Sequence, residues 1–581
     1  MNAAPPATDA RRDRREALWL FAIALLVLGA GYGLRDPWPA DEPRFALVAK
    51  QMIESGNWLF PHRGSELYAD KPPMLMWLQA AAYTVCRDWR IAFLLPSLLA
   101  ALGTLWCVVD LGGRLWTRRV GLYAGWALLF ALQFTYQAKK AQIDPLVTFW
   151  ITLSLYGLLR HLLKGPDWRM WVLGWAAAGL GTITKGVGVL ALLVLVPAAY
   201  GLWRGWLPID GARAPLFRDA RFWFGPLAFL VAISIWLAPM LTVALGNGDP
   251  AYRAYVDDIL LRQTAGRYAN SWDHANPPWY HFGVMATVWL PTVLALPWAF
   301  PAWWRRLRRH DARYLLPLAW WAVIVLFFSI PSGKRDVYIM PALPMMCLAL
   351  APLLPGIVRR AWPRRVAFGF GLALGLLLLA VGLAMWFGDP RFEAKLIADR
   401  GFTDGGRGAA AMLLAMGGWS VAAMAWHRAR NGVIGLLWMF GGIWLLYGMV
   451  AYPLLNPSSS ARGVMDAAQR RIGPQGELGL VAWKEQNLLM SEPTAADFGF
   501  LAPWTTQMER GMAWQAQDPA HRWLFVQEPG LSQCVDRERA AFVGYSNRRR
   551  WWLVPAAAVI PGCVPQGIET QNQADGQDDQ D

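Results

Sequence analysis

Charge is what this chain has least of. Only 16% of its 581 residues are Asp, Glu, Lys or Arg, against 56% hydrophobic. A soluble protein of this length carries about a quarter of its residues as charges, so a soluble enzyme is excluded. Histidine and cysteine are scarce too, at 7 and 5 copies, and none stand at metal-ligand spacing. No metal centre is expected, and His62 and His274 read as structural or orienting residues. Cys86, Cys107 and Cys347 lie in or beside apolar runs and read as small buried hydrophobes. Cys534 and Cys563 fall in a polar C-terminal part and can pair if that part lies outside the cytoplasm. Acidic residues are outnumbered 40 to 55, leaving a formal charge of +15. The excess Lys and Arg sit in short loops between apolar runs, so topology explains them and nucleic acid is not an expected partner.

What the chain has in abundance is apolar sequence in runs of roughly 17 to 24 residues, each able to cross a bilayer core. Its 36 Trp fit the same solvent, because indole prefers the membrane–water boundary. The fold class is therefore a polytopic α-helical membrane protein. Arg11, Arg12, Arg14 and Arg15 precede the first run, Ala17 to Leu34, with no convincing cleavage site after it. That pattern predicts an uncleaved signal-anchor, a cytoplasmic basic N-terminus over 1–16, and a first loop (35–90) outside.

Pro73 to Cys86 is short for a crossing and is expected as a half-helix in the outer interface. The next crossing is Ile91–Leu111, which places Arg114, Arg118 and Arg119 inside. Further crossings are expected near Val120–Gln137, Pro145–Leu163, Met170–Thr184, Val187–Trp203, Phe222–Leu245, His281–Trp303, Tyr314–Ile330, Val337–Pro355, Val366–Phe387, Gly408–His427 and Val433–Tyr452. About 13 transmembrane helices result, an odd number, so the C-terminus is outside. Residues 453–566 mix strand-like runs (Leu478–Trp483, Trp523–Val526, Trp551–Val554) with turns and read as a small outer α/β or α+β domain. The acidic tail, 567–581, reads as disordered.

This topology gathers ionisable residues on one side. The first loop holds Asp41, Glu42, Arg44, Asp70 and Lys71; the second Lys139, Lys140 and Asp144; the third Lys185. The fourth holds Asp257, Asp258, Arg262, Arg267 and His274, and the fifth Lys334, Arg335, Asp336 and Tyr338. Charges near the headgroup plane usually pair or serve a ligand. Asp41 stands where a helix N-cap is expected, before Phe45, Val48, Ala49, Met52 and Ile53 at helical spacing and Gly56 as a stop. An amphipathic helix lying on the membrane follows. Asp144 before Pro145 is likewise an N-cap pattern. Either carboxylate can be only a cap; two of them facing one side amid cations suit chemistry on a lipid phosphate. Lys and Arg would hold the phosphate, a carboxylate would orient or deprotonate an incoming hydroxyl, and Tyr338 would add a hydrogen bond. The bland rivals are snorkelling for Lys334 and Arg335 and interfacial anchoring for Tyr338.

The first-loop pattern DEPRFALVAKQMIESGNWLFP…YADKPP resembles the bacterial lipid-A aminoarabinose transferase family. That family is related to the protein O-mannosyltransferases within the GT-C class. Ala141-Gln142-Ile143-Asp144-Pro145, Thr184-Lys185-Gly186 and the stretch Ser332 to Pro341 are similar to its later loop elements. The resemblance covers about residues 17 to 350, with 17–452 as the GT-C catalytic unit. It implies Asp41 as the principal catalytic carboxylate and Asp144 as a second one. Lys71, Arg267 and Tyr338 would hold the donor phosphate, with Lys334 or Arg335 beside them, and Glu42 and Arg44 would brace the loop. Arg262 is a rival to Arg267.

It further implies inversion at the sugar carbon and a polyprenyl-phosphate donor, with no cofactor or metal; no acidic DxD-type cluster is present. The implied reaction moves 4-amino-4-deoxy-L-arabinose from undecaprenyl phosphate to lipid A at the periplasmic face of the inner membrane. The competing readings are transfer from a polyprenyl phosphate to protein or a surface glycan, and a lipid-linked glycan flippase. A flippase would string charges along a path through the membrane; here they collect on one side.

Overall fold

A computed structural model describes residues 7–208, 219–261, 275–388, 391, 394 and 404–566. Arg262, Arg267, His274 and the acidic tail lie outside the described residues. The chain opens with helix α1 (Ala7–Gly29), then α2 (Glu42–Ser55), a hairpin of β1 (His62–Arg63) and β2 (Glu66–Leu67), and α3 (Met74–Cys86). Helices α4 (Trp89–Ala92), α5 (Leu95–Leu115), α6 (Arg118–Leu129), α7 (Leu132–Ala138), α8 (Ile143–Lys164) and α9 (Trp168–Lys185) follow. Next come α10 (Leu195–Trp203), α11 (Phe224–Gly246) and α12 (Pro250–Asp257).

Among the described residues, eight helical segments are long and apolar enough to cross a membrane. A ninth is formed if Tyr280–Val288 and Thr292–Arg308, bent by 100°, count as one span. This is a multi-pass membrane protein. Helix α3 has 13 residues, about 20 Å of rise, which is short of a bilayer core. It stops at Arg87, whose φ of 55° is left-handed. Asp13 near the chain start lies 3.4 Å from Arg119, so the basic loop between α5 and α6 shares a face with the N-terminus.

Helix α2 departs from the expected surface helix. Phe45, Val48, Ala49 and Met52 join the core built by the membrane helices. Ala46 and Leu47, on its other side, join a second core with Val464, Leu480, Trp483 and Leu488. The helix is thus covered on both faces, because the C-terminal unit sits down on it. Alternation of apolar and polar residues could not reveal that second cover, since small Ala46 and a single Leu suffice to seat it. Gly56, with φ +71°, ends the helix and donates its N–H to Met52 O at 3.0 Å.

The C-terminal unit is built on a five-stranded sheet ordered β4-β3-β5-β7-β6, from β3 (Glu477–Val481), β4 (Ala496–Asp497), β5 (Arg522–Gln527), β6 (Ala541–Ser546) and β7 (Arg549–Val554). The strands β3 to β5 run parallel and β5–β7–β6 antiparallel. Helices Arg462–Ile472, Glu485–Met490 and Trp504–Gln515 accompany them. A disulfide joins Cys534 to Cys563.

Candidate functional site

The entry to the first loop is fastened by a buried ion pair. Arg35 and Glu42 are 2% and 5% exposed. The guanidinium donates to both Glu42 carboxylate oxygens, and through a second bond to Lys139 O at 3.0 Å. Glu42 also accepts from the N–H groups of Trp38 and Ala141, both at 2.9 Å. With every lone pair committed, Glu42 ties the first loop to the second and is not available to a substrate. The rings of Trp38, Phe93 and Tyr452 surround the guanidinium at 4.7–5.1 Å. Burial opposes the Arg35 charge, but the Glu42 carboxylate more than offsets it and raises the pKa.

One residue before Glu42, Asp41 is free of capping duty. It occupies the N-cap position of α2 in αR geometry, and its side chain makes no cap bond. Its carboxylate instead meets groups from three segments: Arg44 at 3.6 Å, Gln142 Nε2 at 3.3 Å and Arg335 at 3.9 Å. Asp41 and Arg335 are 21% and 39% exposed. Such a solvated pair contributes no more than about 1 kcal/mol, so its value is positional.

From Asp41 a chain of ion pairs leads through the C-terminal unit. Arg44 donates to Glu485 at 3.1 Å; Arg63 lies 3.5 Å from the same Glu485 oxygen and 3.5 Å from Asp70. Glu485, only 5% exposed, is therefore shared by two cations. Burial works against the Arg44 charge, yet Glu485 raises its pKa overall. Between these groups Tyr68 is buried, and burial followed by Asp70 pushes its phenol pKa up, keeping it protonated. Lys71 Nζ donates to Asp70 O at 2.8 Å, which places the ammonium at the edge of this network.

A second cluster lies at the head of α8. The helix starts two residues earlier than the Asp-Pro pattern predicts, with Gln142 at the N-cap, so Asp144 falls in the first turn. Relieved of capping, Asp144 accepts from Lys185 Nζ. The same ammonium lies 5.2 Å from the centre of the Tyr338 ring. Arg335 and Tyr338 are linked through backbone by Tyr338 N to Arg335 O at 3.2 Å, in the turn that starts Asp336–Ala342. Buried His281 supports the same carbonyl from Nε2 at 3.4 Å.

Two sequence candidates are spent on the fold. Lys334 is 2% exposed and donates to the carbonyls of Asn276 and Ser332 at 2.8 and 3.4 Å. Lys139 is fully buried and caps the end of α1 through Ala30 O at 2.7 Å. Burial, and then the Arg35 charge, bring its pKa down to about 7. Lys140 lies over the Tyr136 ring at 4.2 Å. Among the described residues no group of three His, Cys, Asp or Glu side chains is placed to hold a metal ion.

The chain as a whole has counterparts among known proteins. Residues 70–238 match the model of the dolichyl-phosphate-mannose-protein mannosyltransferase family. A Pseudomonas paraeruginosa undecaprenyl phosphate-alpha-4-amino-4-deoxy-L-arabinose arabinosyl transferase is 30% identical over 434 residues, 72% of this chain and 72% of that one. The chain belongs to this arabinosyl transferase family. The Pseudomonas savastanoi pv. phaseolicola member is 30% identical over 344 residues, 58% of this chain and 61% of its own length. Among solved structures, ArnT from Cupriavidus metallidurans bound to undecaprenyl phosphate superposes with a TM-score of 0.70 at 19% identity. The match covers 94% of this chain and 99% of ArnT. The GT-C fold is thereby shared, and this family member is a membrane glycosyltransferase.

The sequence assigns no role to Arg35, Arg63, Gln142 or Glu485, which the structure brings to this candidate site. Arg63 stands within the first loop near Asp70, so loop position was a usable signal. Glu485 lies in a polar unit far along the chain, and nothing local marks it.

Proposed function

We propose that this protein is an inverting glycosyltransferase that moves 4-amino-4-deoxy-L-arabinose from undecaprenyl phosphate to lipid A. The observation that carries the reading is the convergence of three loops on Asp41, in a chain of the arabinosyl transferase family. An acceptor oxygen attacks the anomeric carbon of the sugar. The bond from that carbon to the donor phosphate breaks, and its electron pair leaves on undecaprenyl phosphate. Lys71, Arg335 and Tyr338 neutralise and orient that leaving group, together with Arg267. Arg335 is preferred over Lys334 for this role, because the Lys334 ammonium is committed to backbone carbonyls.

Asp41 faces the acceptor. An ionised lipid A phosphate needs only orientation, whereas a hydroxyl acceptor would give its proton to Asp41. Asp144, paired with Lys185, acts as the second carboxylate on the Tyr338 side. Glu42 and Arg44 hold the loop, and the donor itself supplies the leaving group, so no cofactor is required.

In the cell the protein sits in the bacterial inner membrane with its N-terminus cytoplasmic and the Asp41 site periplasmic. The Cys534–Cys563 disulfide supports an oxidising compartment for residues 453–566. The catalytic unit is 17–452, with α1, the α6–α7 region, α9 and the α10 region bringing the crossings to about 13. Mass spectrometry of lipid A from a deletion strain tests the reaction. Loss of the aminoarabinose-modified species is the expected result; unchanged lipid A overturns the acceptor.

A further inference from the structure

The turn that carries Arg335 and Tyr338 is gripped by its backbone. Three consecutive carbonyls each accept from a side chain of another segment. Lys334 O accepts from Asn276 Nδ2 at 3.2 Å, Arg335 O from His281 Nε2 at 3.4 Å, and Asp336 O from Gln133 Nε2 at 2.8 Å. The last bond is the shortest, and both ends of its donor are fixed. Gln133, in the first turn of α7, is 2% exposed, and its Oε1 accepts from Trp289 Nε1 at 2.7 Å. An indole N–H only donates and a carbonyl only accepts, so the amide has one orientation.

Trp289 is fully buried at the 100° bend between Tyr280–Val288 and Thr292–Arg308. Two more bonds fasten that bend to the chain around Gln133. Leu132 N donates to Leu290 O at 2.8 Å, and Thr292 Oγ1 to Ala127 O at 2.6 Å. Gln133 therefore extends a rigid joint into the turn. His281, also fully buried, has its other ring nitrogen 3.2 Å from Ser329 Oγ, which donates to Val325 O at 2.7 Å. A buried amide is costly unless paired, and an apolar side chain of similar size would fill the same space without that demand. What the amide adds is placement. The turn it holds puts Arg335 3.9 Å from Asp41 and the Tyr338 ring 5.2 Å from Lys185. A displacement of about 1 Å there is enough to lose a phosphate contact.

We infer that Gln133, with His281, is a positioning residue for the donor phosphate, given the donor role proposed for Arg335 and Tyr338. Both act through the backbone, by fixing Asp336 O and Arg335 O.

Calorimetric titration of the purified full chain with undecaprenyl phosphate, together with separate KM values for the sugar donor and for lipid A, tests the role. Gln133→Met keeps the length of the side chain and removes both hydrogen bonds. It should weaken undecaprenyl phosphate about tenfold and raise the donor KM with it, while the lipid A KM shifts less than about twofold. His281→Phe should weaken the same ligand, and His281→Gln, whose amide can still donate to Arg335 O, should recover most of that loss. If Gln133→Met does not fold, the two His281 variants decide on the same readouts. Arg335→Gln reports on the donor site itself: unchanged undecaprenyl phosphate binding there removes the donor role, and with it any positioning by Gln133. Weakened binding in Arg335→Gln beside unchanged binding in Gln133→Met and His281→Phe overturns the positioning role alone. A parallel rise of both KM values, or a His281→Gln chain no better than His281→Phe, overturns it as well.

Discussion

Arg335 lies 3.9 Å from the Asp41 carboxylate and joins the turn before Asp336–Ala342 to the start of α2. Because Asp41 makes no cap bond, its oxygens are directed at other loops. Three segments far apart in the chain are thereby registered on one carboxylate.

Asp41→Asn keeps the shape and removes the charge. Transfer to lipid A should fall by about 10²-fold or more, the range expected for a positioned acid–base group. Thermal unfolding in detergent should move little, since the pairs of Asp41 are solvated. Normal turnover by this variant would remove Asp41 from the mechanism.

Lys71→Ala and Lys334→Ala should separate by kinetic signature. The first should raise the KM for the undecaprenyl-phosphate donor more than that for lipid A. The second frees the carbonyls of Asn276 and Ser332, so a lower thermal midpoint should accompany any loss of rate. Donor-specific loss in Lys334→Ala with unchanged stability would reverse the two assignments.

Glu485 is the acid that the C-terminal unit lends to the first loop. A double-mutant cycle on Arg44→Met and Glu485→Gln should return a coupling of about 1–3 kcal/mol in thermal or denaturant unfolding. Additive single effects would show that the 3.1 Å contact carries no energy.

The Arg35–Glu42 pair should behave as a buried pair. Arg35→Met alone leaves a carboxylate in a dry site and should cost about 3–5 kcal/mol, while Arg35→Met/Glu42→Leu should recover part of that loss. Unfolding of the two variants in the same detergent measures the difference.

Asp36 supplies the acid limb of stability. Burial pushes its pKa up, but the Asn456 hydrogen bond, the Arg462 charge and the bonds from Arg90 and Ser460 lower it overall. The unfolded chain therefore takes up this proton first. The stabilisation is complete above the ordinary Asp value of about 3.9 and is lost as pH falls through the lower folded value. Asp36→Asn should flatten the fall of thermal midpoint below about pH 4; an identical acid limb in the variant would show that Asp36 contributes nothing there.

Hydropathy alone settled that this chain lives in a bilayer, because about 20 apolar residues in a row have no other stable solvent. The sequence also singles out the first loop as a candidate, through Asp41, Glu42, Arg44, Asp70 and Lys71, since ionisable groups at that depth are costly without partners. The short α3 was legible from its length. Packing decided the rest. Whether Asp41 caps its helix or faces outward depends on local backbone angles that composition does not encode, and Asp144 moved off the N-cap for the same reason. Lys334 and Arg335 are neighbours of like charge in the sequence. Only the carbonyls of Asn276 and Ser332 bury one while Asp41 draws the other outward. Glu485 enters through the docking of a distant sheet unit on α2, a contact made by shape and burial, which no local pattern at either end records.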